Sequence, residues 1–70
     1  MINMGGNMTQ KELLYFEDAV GHEESIIKIC QNTVSSLQDE RLVSFMESQI
    51  NDHQKMKEKL MNLLKEKANE

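Results

Sequence analysis

Apolar and small residues recur at alternating intervals of three and four along most of this chain, which is the spacing that gathers side chains on one face of an α-helix. The pattern runs through the first half of the chain, stops at residues 38–40 and resumes in the second half. It predicts two long helices. The residues expected in the core or at a helix interface are Leu13, Phe16, Val20, Ile27, Cys30, Val34, Leu42, Met46, Ile50, Met56, Leu60 and Leu63.

Both predicted helices begin at side chains that can cap them. Thr9 is followed three residues later by Glu12, an arrangement in which the hydroxyl and the carboxylate each accept a hydrogen bond from an orphan backbone N–H. Asp39 stands where the second helix should begin, and aspartate is a good N-cap. We therefore predict a first helix over about 10–37 and a second over about 40–66.

The break between the two helices is short, and this decides the topology. Long helices joined by about two residues must fold back on each other, so the predicted fold is an all-α, antiparallel two-helix hairpin over residues 9–66. Residues 1–8 show no periodicity and are expected to form a flexible leader. Residues 67–70 are expected to be a frayed tail.

A polar layer is predicted at the middle of the hairpin. If the turn is centred near position 38, residue i of the first helix faces roughly residue 76 − i of the second, so Glu23 faces His53. Both stand where the apolar pattern calls for a leucine. A buried carboxylate is tolerated when it is hydrogen-bonded to an imidazolium or bound to a metal. Glu24, Asp52 and Gln49 are close enough along the helices to extend the layer.

One hairpin cannot cover all of these apolar positions, so we expect two chains to form a four-helix bundle around a two-fold axis. An antiparallel dimer would bring two copies of Glu23 and His53 to the same level. The layer is then either a structural device that sets register, or a site for Fe, Mn or Zn with accessory ligands Glu24 and Asp52. The carboxylate that would complete a Glu-x-x-His ligand pattern is replaced by Ile50.

Composition and charge narrow the classes of function. The 70 residues allow one small domain, and Cys30 is the only cysteine, so no disulfide can form within the chain. The formal net charge of −4 argues against general binding to nucleic acid. No apolar run has the length of a membrane span. These features predict an intracellular protein that is neither secreted nor transmembrane and that gains stability from a partner chain.

Four other features have alternative interpretations. The basic, amphipathic segment 55–67 suits pairing with the acidic segment 10–24 or, alternatively, binding to a membrane surface or a calmodulin-type partner. Cys30 is interpreted as a small buried hydrophobic residue, not a nucleophile. His22 flanks the polar layer and is expected to be solvated or an accessory ligand. Gly21 is an ordinary helix position or a place where another backbone approaches.

Three stretches carry a family resemblance: LLYFEDAVGHEE at 13–24, LQD at 37–39, and His53 followed by LMNLL at 60–64. They resemble the short Coat F-like spore coat proteins of endospore-forming Firmicutes, and the resemblance covers nearly all of the chain after Thr9. It implies a ferritin-like four-helix bundle and a role in, or relation to, the spore coat.

The resemblance also bears on the polar layer. Many ferritin-like relatives carry a Glu followed seven residues later by Tyr on one helix, and a Glu-x-x-His on another. Glu23 and His53 match the first Glu and the His, whereas Cys30 and Ile50 stand at the places of the Tyr and the second Glu. These two departures argue against oxidase or iron-storage chemistry.

We therefore expect a non-enzymatic structural or assembly protein related to spore coat proteins, with no catalytic residue and no cofactor. It would act through association of helical bundles, as a homodimer or higher homo-oligomer, with other coat proteins as further partners and with no nucleic acid or membrane partner. The alternative is a metal-binding ferritin-like protein with a degenerate di-metal site at the bundle centre. A third hypothesis is a helical adaptor that inserts its hairpin into a partner's bundle.

Overall fold

Two helices make up the part of the chain that the structure, a computed structural model, describes: residues 8–68. They are α1 (Gln10–Val34) and α2 (Glu40–Ala68), which fold back on each other as a hairpin without any strand in the described range. The predicted all-α hairpin is confirmed. The predicted leader falls largely on residues 1–7, and part of the predicted tail falls on residues 69–70; both lie outside the described residues.

The N-termini of both helices are capped as the sequence predicts. In α1 the Thr9 N–H donates to Glu12 Oε1 at 2.9 Å, and the Glu12 N–H donates to Thr9 Oγ1 at 3.1 Å, which completes the capping box. In α2 the carboxylate Oδ1 of Asp39 accepts from the N–H groups of Arg41 and Leu42 at 2.8 and 3.2 Å. These bonds satisfy donors that have no partner inside the helix.

The C-terminus of α1 differs from the prediction, because the helix ends at Val34 and not at about 37. The Ser35 hydroxyl donates to the carbonyl of Asn32 at 2.7 Å. The N–H groups of Ser36 and Leu37 then bond three residues back instead of four. Serine side chains compete with the backbone for such carbonyls, and the chain tightens into a turn. The connection is therefore five residues long, 35–39, instead of about two.

The last residue of the predicted leader and the first residues of the predicted tail also differ from the prediction. Met8 is buried, with 5% of its surface exposed, although it was predicted to belong to the flexible leader. It stands immediately before the N-cap Thr9, the position from which an apolar side chain commonly packs against the first turns of a helix. At the other end α2 continues through Ala68, two residues beyond the predicted end at about 66, while the fraying of the tail stays a prediction.

The row of α2 that lies against α1 is displaced by about one position from the predicted pattern. Its members repeat at intervals of three and four and are at least half-buried: Val43, Met46, Ile50, His53, Lys57, Leu60 and Leu64. Three residues of the predicted set, Leu42, Met56 and Leu63, lie beside this row and are 46–52% exposed. Their assignment to an interface between chains stays a prediction.

The core between the helices is thin. Among the described residues only Met8, Ile27 and Cys30 are buried, and no side chain is fully enclosed. The other predicted core positions of α1 are partly covered: Leu13, Phe16, Val20 and Val34. Two helices in contact along one side cannot surround a side chain, so each keeps a second face open. Neither helix is long and apolar enough, over the described residues, to cross a membrane.

Candidate functional site

Glu23 and His53 meet at the middle of the hairpin, as the register of the two helices predicts. His53 Nδ1 and Glu23 Oε2 lie 2.5 Å apart. An ionised carboxylate can only accept, so the ring N–H donates to it. The Glu23 side chain is 16% exposed and that of His53 is 28% exposed. This polar layer, defined by these two residues, is therefore largely but not wholly removed from water.

A second ion pair lies one turn further along α2. Lys57 Nζ is 3.0 Å from Glu24 Oε2, in a more exposed position than the polar layer. Lys57 belongs to the row of α2 that faces α1, and its aliphatic stem can lie along the apolar seam while the ammonium reaches the carboxylate. The pair joins the acidic part of α1 to the basic part of α2, which agrees with the predicted pairing of segments 10–24 and 55–67.

The metal hypothesis needs ligands from more than one chain. Within residues 8–68, no three His, Cys, Asp or Glu side chains come together in a group that could hold a metal ion. Glu23 and His53 bind each other, and Glu24, a predicted accessory ligand, binds Lys57. Asp52, the other predicted accessory ligand, is exposed on α2. One hairpin therefore offers two adjacent donor groups, which do not by themselves make a metal centre.

The remaining candidate residues take no part in the polar layer. Cys30 is a free, buried cysteine of the seam, in agreement with its interpretation as a small hydrophobic residue. His22 is exposed, as expected, and lines a groove beside Glu23. Gly21 is open: a Cβ atom added there would meet nothing within 4 Å. Within the hairpin, no other backbone approaches Gly21.

The two broad faces of the hairpin differ in chemistry. One carries a groove of about 460 Å³ lined by Tyr15, Asp18, Ala19, His22, Glu23, Met56 and Leu60. Tyr15 and Leu63 share an adjoining cavity of about 340 Å³. The opposite face, called the charged face below, has a groove of about 510 Å³ lined by Glu24, Ile27, Lys28, Gln31, Gln54, Lys57, Glu58 and Met61.

The first of these faces continues along both helices and is called the apolar face below. Leu42, Gln49, Met56 and Leu63 follow one another at intervals of seven, so they lie on the same side of α2. Phe45 is three turns from Met56 and shares that side. By helical periodicity the apolar residues of this face are Tyr15, Ala19 and Ile26 from α1 and Leu42, Phe45, Met56 and Leu63 from α2. Asp18, His22 and Glu23 lie among them around the groove.

Sequence reasoning treated this row of α2 as the inner seam and so missed it as a separate surface. The sequence did contain an indication of further apolar surface, because Phe45 and Met61 flank the seam on its two sides. Both are about half exposed in the hairpin. Only the position of α1 shows which flank is apolar and which is charged.

No protein-family model, no curated protein and no solved structure matches this chain. The resemblance to the Coat F-like family stays a prediction.

Proposed function

We propose that this chain is a non-enzymatic structural or assembly protein that acts by associating with further copies of itself into a helical bundle. One observation carries the proposal: the hairpin buries few side chains, while five large apolar residues of the apolar face are 46–59% exposed: Tyr15, Leu42, Phe45, Met56 and Leu63. Soluble monomers rarely leave such residues contiguous on one face. A partner that covers them is the simplest reason for this pattern.

The energetics point the same way. A chain of this length supplies little stability from a core of its own, and the core here lies on a single side of each helix. Burying a Leu, Met or Phe side chain contributes about 1.5–3 kcal/mol. Several such residues on one face therefore supply free energy of the same order as the whole stability of a small domain.

The polar layer fits an assembly role. Glu23 and His53 serve each other as hydrogen-bond partners, and a polar pair in an otherwise apolar seam favours one register over its neighbours. The resemblance to short Coat F-like spore coat proteins supports an assembled intracellular layer such as the spore coat as the place of action, with other coat proteins as further partners.

Sedimentation equilibrium of the purified, tag-free protein tests the proposal. We expect a dimer or higher oligomer at micromolar concentration, with helicity retained. A folded monomer at that concentration would contradict the proposal, because the second face of each helix would then be stable in water. The proposed location in the spore coat has its own test: an antibody against the protein should label the rim of maturing spores. Label spread through the cell would contradict this location.

A second candidate function is metal binding between two chains, and the adjacency of Glu23 and His53 is the observation that favours it. Two copies in contact at this level would bring two carboxylates and two imidazoles together, a donor set suited to Fe, Mn or Zn. The test is the metal content of the protein after exposure to each ion and removal of the excess. Retained metal that is lost in Glu23→Ala and His53→Ala would support this function; unchanged content in these variants would exclude it.

A further inference from the structure

We infer that the apolar face docks onto the same face of a second copy that runs in the opposite direction, so that α1 lies over α1 and α2 over α2 of the other copy. The inference rests on the proposed self-association and names the surface and the orientation through which it occurs. Its consequence is that two polar layers meet at the centre of the assembly.

The pattern of residues along α2 is self-complementary in this orientation. Leu42, Gln49, Met56 and Leu63 are symmetric about a point between 52 and 53. A copy related by a two-fold axis at that point places Leu42 over Leu63 and Gln49 over Met56. Phe45 falls over Leu60 in the same register. Large apolar side chains therefore meet apolar ones towards both ends of the helix.

The pattern along α1 has its centre at the same level. Ala19 and Ile26, one heptad apart on the apolar face, exchange places about a point between 22 and 23, and Tyr15 then falls at the level of Cys30. Glu23 and His53 are in direct contact, so this point lies beside the centre of the α2 pattern. One two-fold axis therefore serves both pairs of helices, as an isologous interface requires.

The charges of α2 also favour an antiparallel copy. Residues 40–52 carry three acidic and one basic side chain, whereas residues 53–68 carry five basic and two acidic ones. When two copies of α2 run in opposite directions, the acidic half of each lies beside the basic half of the other. A parallel arrangement would set like charge beside like charge and is disfavoured.

The area of the face suits a stable dimer. The hairpin measures 51 × 16 × 10 Å, so its broad face is a strip as wide as the two helices. The footprint of that strip, roughly 800 Å², is of the same order as the surface that each partner contributes to an interface of standard size. Both grooves have ionisable side chains around them: Asp18, His22 and Glu23 on the apolar face, and Glu24, Lys28, Lys57 and Glu58 on the charged face. The apolar face presents more large apolar side chains than the charged face, whose groove has only Ile27 and Met61, so docking through the apolar face removes more apolar surface from water.

A matched pair of substitutions tests which face is used. Met56 and Met61 both belong to α2 and are 46% and 49% exposed, but the first lines the groove of the apolar face and the second that of the charged face. We expect Met56→Glu to weaken dimerisation about tenfold or more in sedimentation equilibrium, because a carboxylate would be buried without a partner. Met61→Glu should leave it unchanged. Equal effects, or a larger one for Met61→Glu, would overturn the inference.

Cross-linking tests the orientation independently of any loss of stability. In a Cys30→Ala background, a mixture of Leu42→Cys and Leu63→Cys chains should form a disulfide-linked heterodimer under mild oxidation. Each variant alone should not, since its own thiols would lie about 30 Å apart at 1.5 Å per residue. Gln54→Cys lies near the axis but on the charged face and should stay unlinked.

The outcomes separate this inference from the proposed function. A wild-type chain that is monomeric contradicts both. A wild-type dimer whose Leu42→Cys and Leu63→Cys mixture fails to cross-link keeps the proposed function and overturns the antiparallel arrangement. A disulfide through Gln54→Cys would move the interface to the charged face.

Discussion

At the scale of single residues, the hydrogen bond between Glu23 and His53 explains how two polar side chains occupy positions of an apolar seam. Each side chain supplies the hydrogen bond that the other would otherwise form with water. The 2.5 Å separation of Nδ1 and Oε2 indicates direct contact. The pair does not have to add net stability to be useful. Replacing a buried ion pair by apolar residues is often neutral or stabilising, whereas removing one partner leaves the other unsatisfied.

A double-mutant cycle therefore separates the two partners. We expect Glu23→Leu or His53→Leu alone to lower the free energy of unfolding by about 1–3 kcal/mol, because one polar group loses its partner. The double variant should be close to the wild type or more stable. Urea unfolding at fixed protein concentration measures all four proteins. Strictly additive losses would show that the two side chains do not depend on each other.

Gly21 is a position where a larger residue should help. No atom lies within 4 Å of an added Cβ, and glycine inside a helix is about 0.5–1 kcal/mol less favourable than alanine. We expect Gly21→Ala to raise the free energy of unfolding by about that amount in thermal or urea unfolding. A loss of stability instead would indicate that another chain's backbone approaches Gly21 in the assembly.

At the scale of the helices, the termini are defined by short-range hydrogen bonds that do not depend on the hairpin. The capping box of Thr9 and Glu12 begins α1, and the carboxylate of Asp39 begins α2. The end of α1 is equally local, since Ser35 binds the carbonyl of Asn32 and stops the regular pattern.

The Asp39 cap should be measurable by itself. Asp39→Ala removes the acceptor of two backbone N–H groups and is expected to lower the free energy of unfolding by about 1 kcal/mol. Asp39→Asn is the matched control, because it removes the charge and keeps the acceptor. The free energy of unfolding should fall much less in Asp39→Asn than in Asp39→Ala. Equal losses for the two variants would assign the effect to charge at the helix N-terminus and not to the hydrogen bonds.

The capping box also predicts a pH dependence for α1. The Thr9 backbone N–H, and after it the Thr9 hydroxyl, hold the pKa of Glu12 below its ordinary value of 4.5. The folded chain therefore binds this proton less tightly than the unfolded one. The resulting stabilisation is complete above pH 4.5 and is lost as pH falls through the lower, folded-state pKa.

Unfolding of the wild type and of Glu12→Gln across this pH range checks the dependence. The glutamine can keep the capping bonds but does not titrate. We expect the stability of the wild type relative to Glu12→Gln to decrease on acidification below pH 4.5. A difference that stays constant with pH would show that the carboxylate does not titrate with folding.

At the scale of the whole molecule, the hairpin is a slab one helix thick. Its Cα atoms span only 10 Å in the thin direction, and no side chain of the described residues is fully enclosed. In the proposed dimer each copy would cover the apolar face of the other, so we expect the stability of the fold to depend on association.

The melting temperature should therefore rise with protein concentration. For a bundle of two such chains we expect an increase of about 3–6 °C for each tenfold increase in concentration. Circular dichroism over a series of dilutions measures it, with Met56→Glu as the variant in which the dependence should be reduced. A melting temperature that does not change with dilution would contradict obligatory association.

The register of the hairpin shows how far the sequence alone reaches. The turn position and the length of the two helices were enough to predict that Glu23 meets His53. This works because residues in antiparallel helices pair by their distance from the turn, and a turn displaced by a residue or two still leaves the same side chains within reach.

The sequence by itself determined the two helices, their caps and the pairing of Glu23 with His53, because these depend on interactions within a few residues or on distance from the turn. Only the tertiary structure decided which row of α2 is inner. Two adjacent rows of this helix carry apolar residues. The inner row also contains Lys57, which is half-buried in the hairpin although a charged residue is expected at the surface, so the sequence pattern favours the other row. The position of α1 selects between the rows, and so it leaves Leu42, Met56 and Leu63 on the open face.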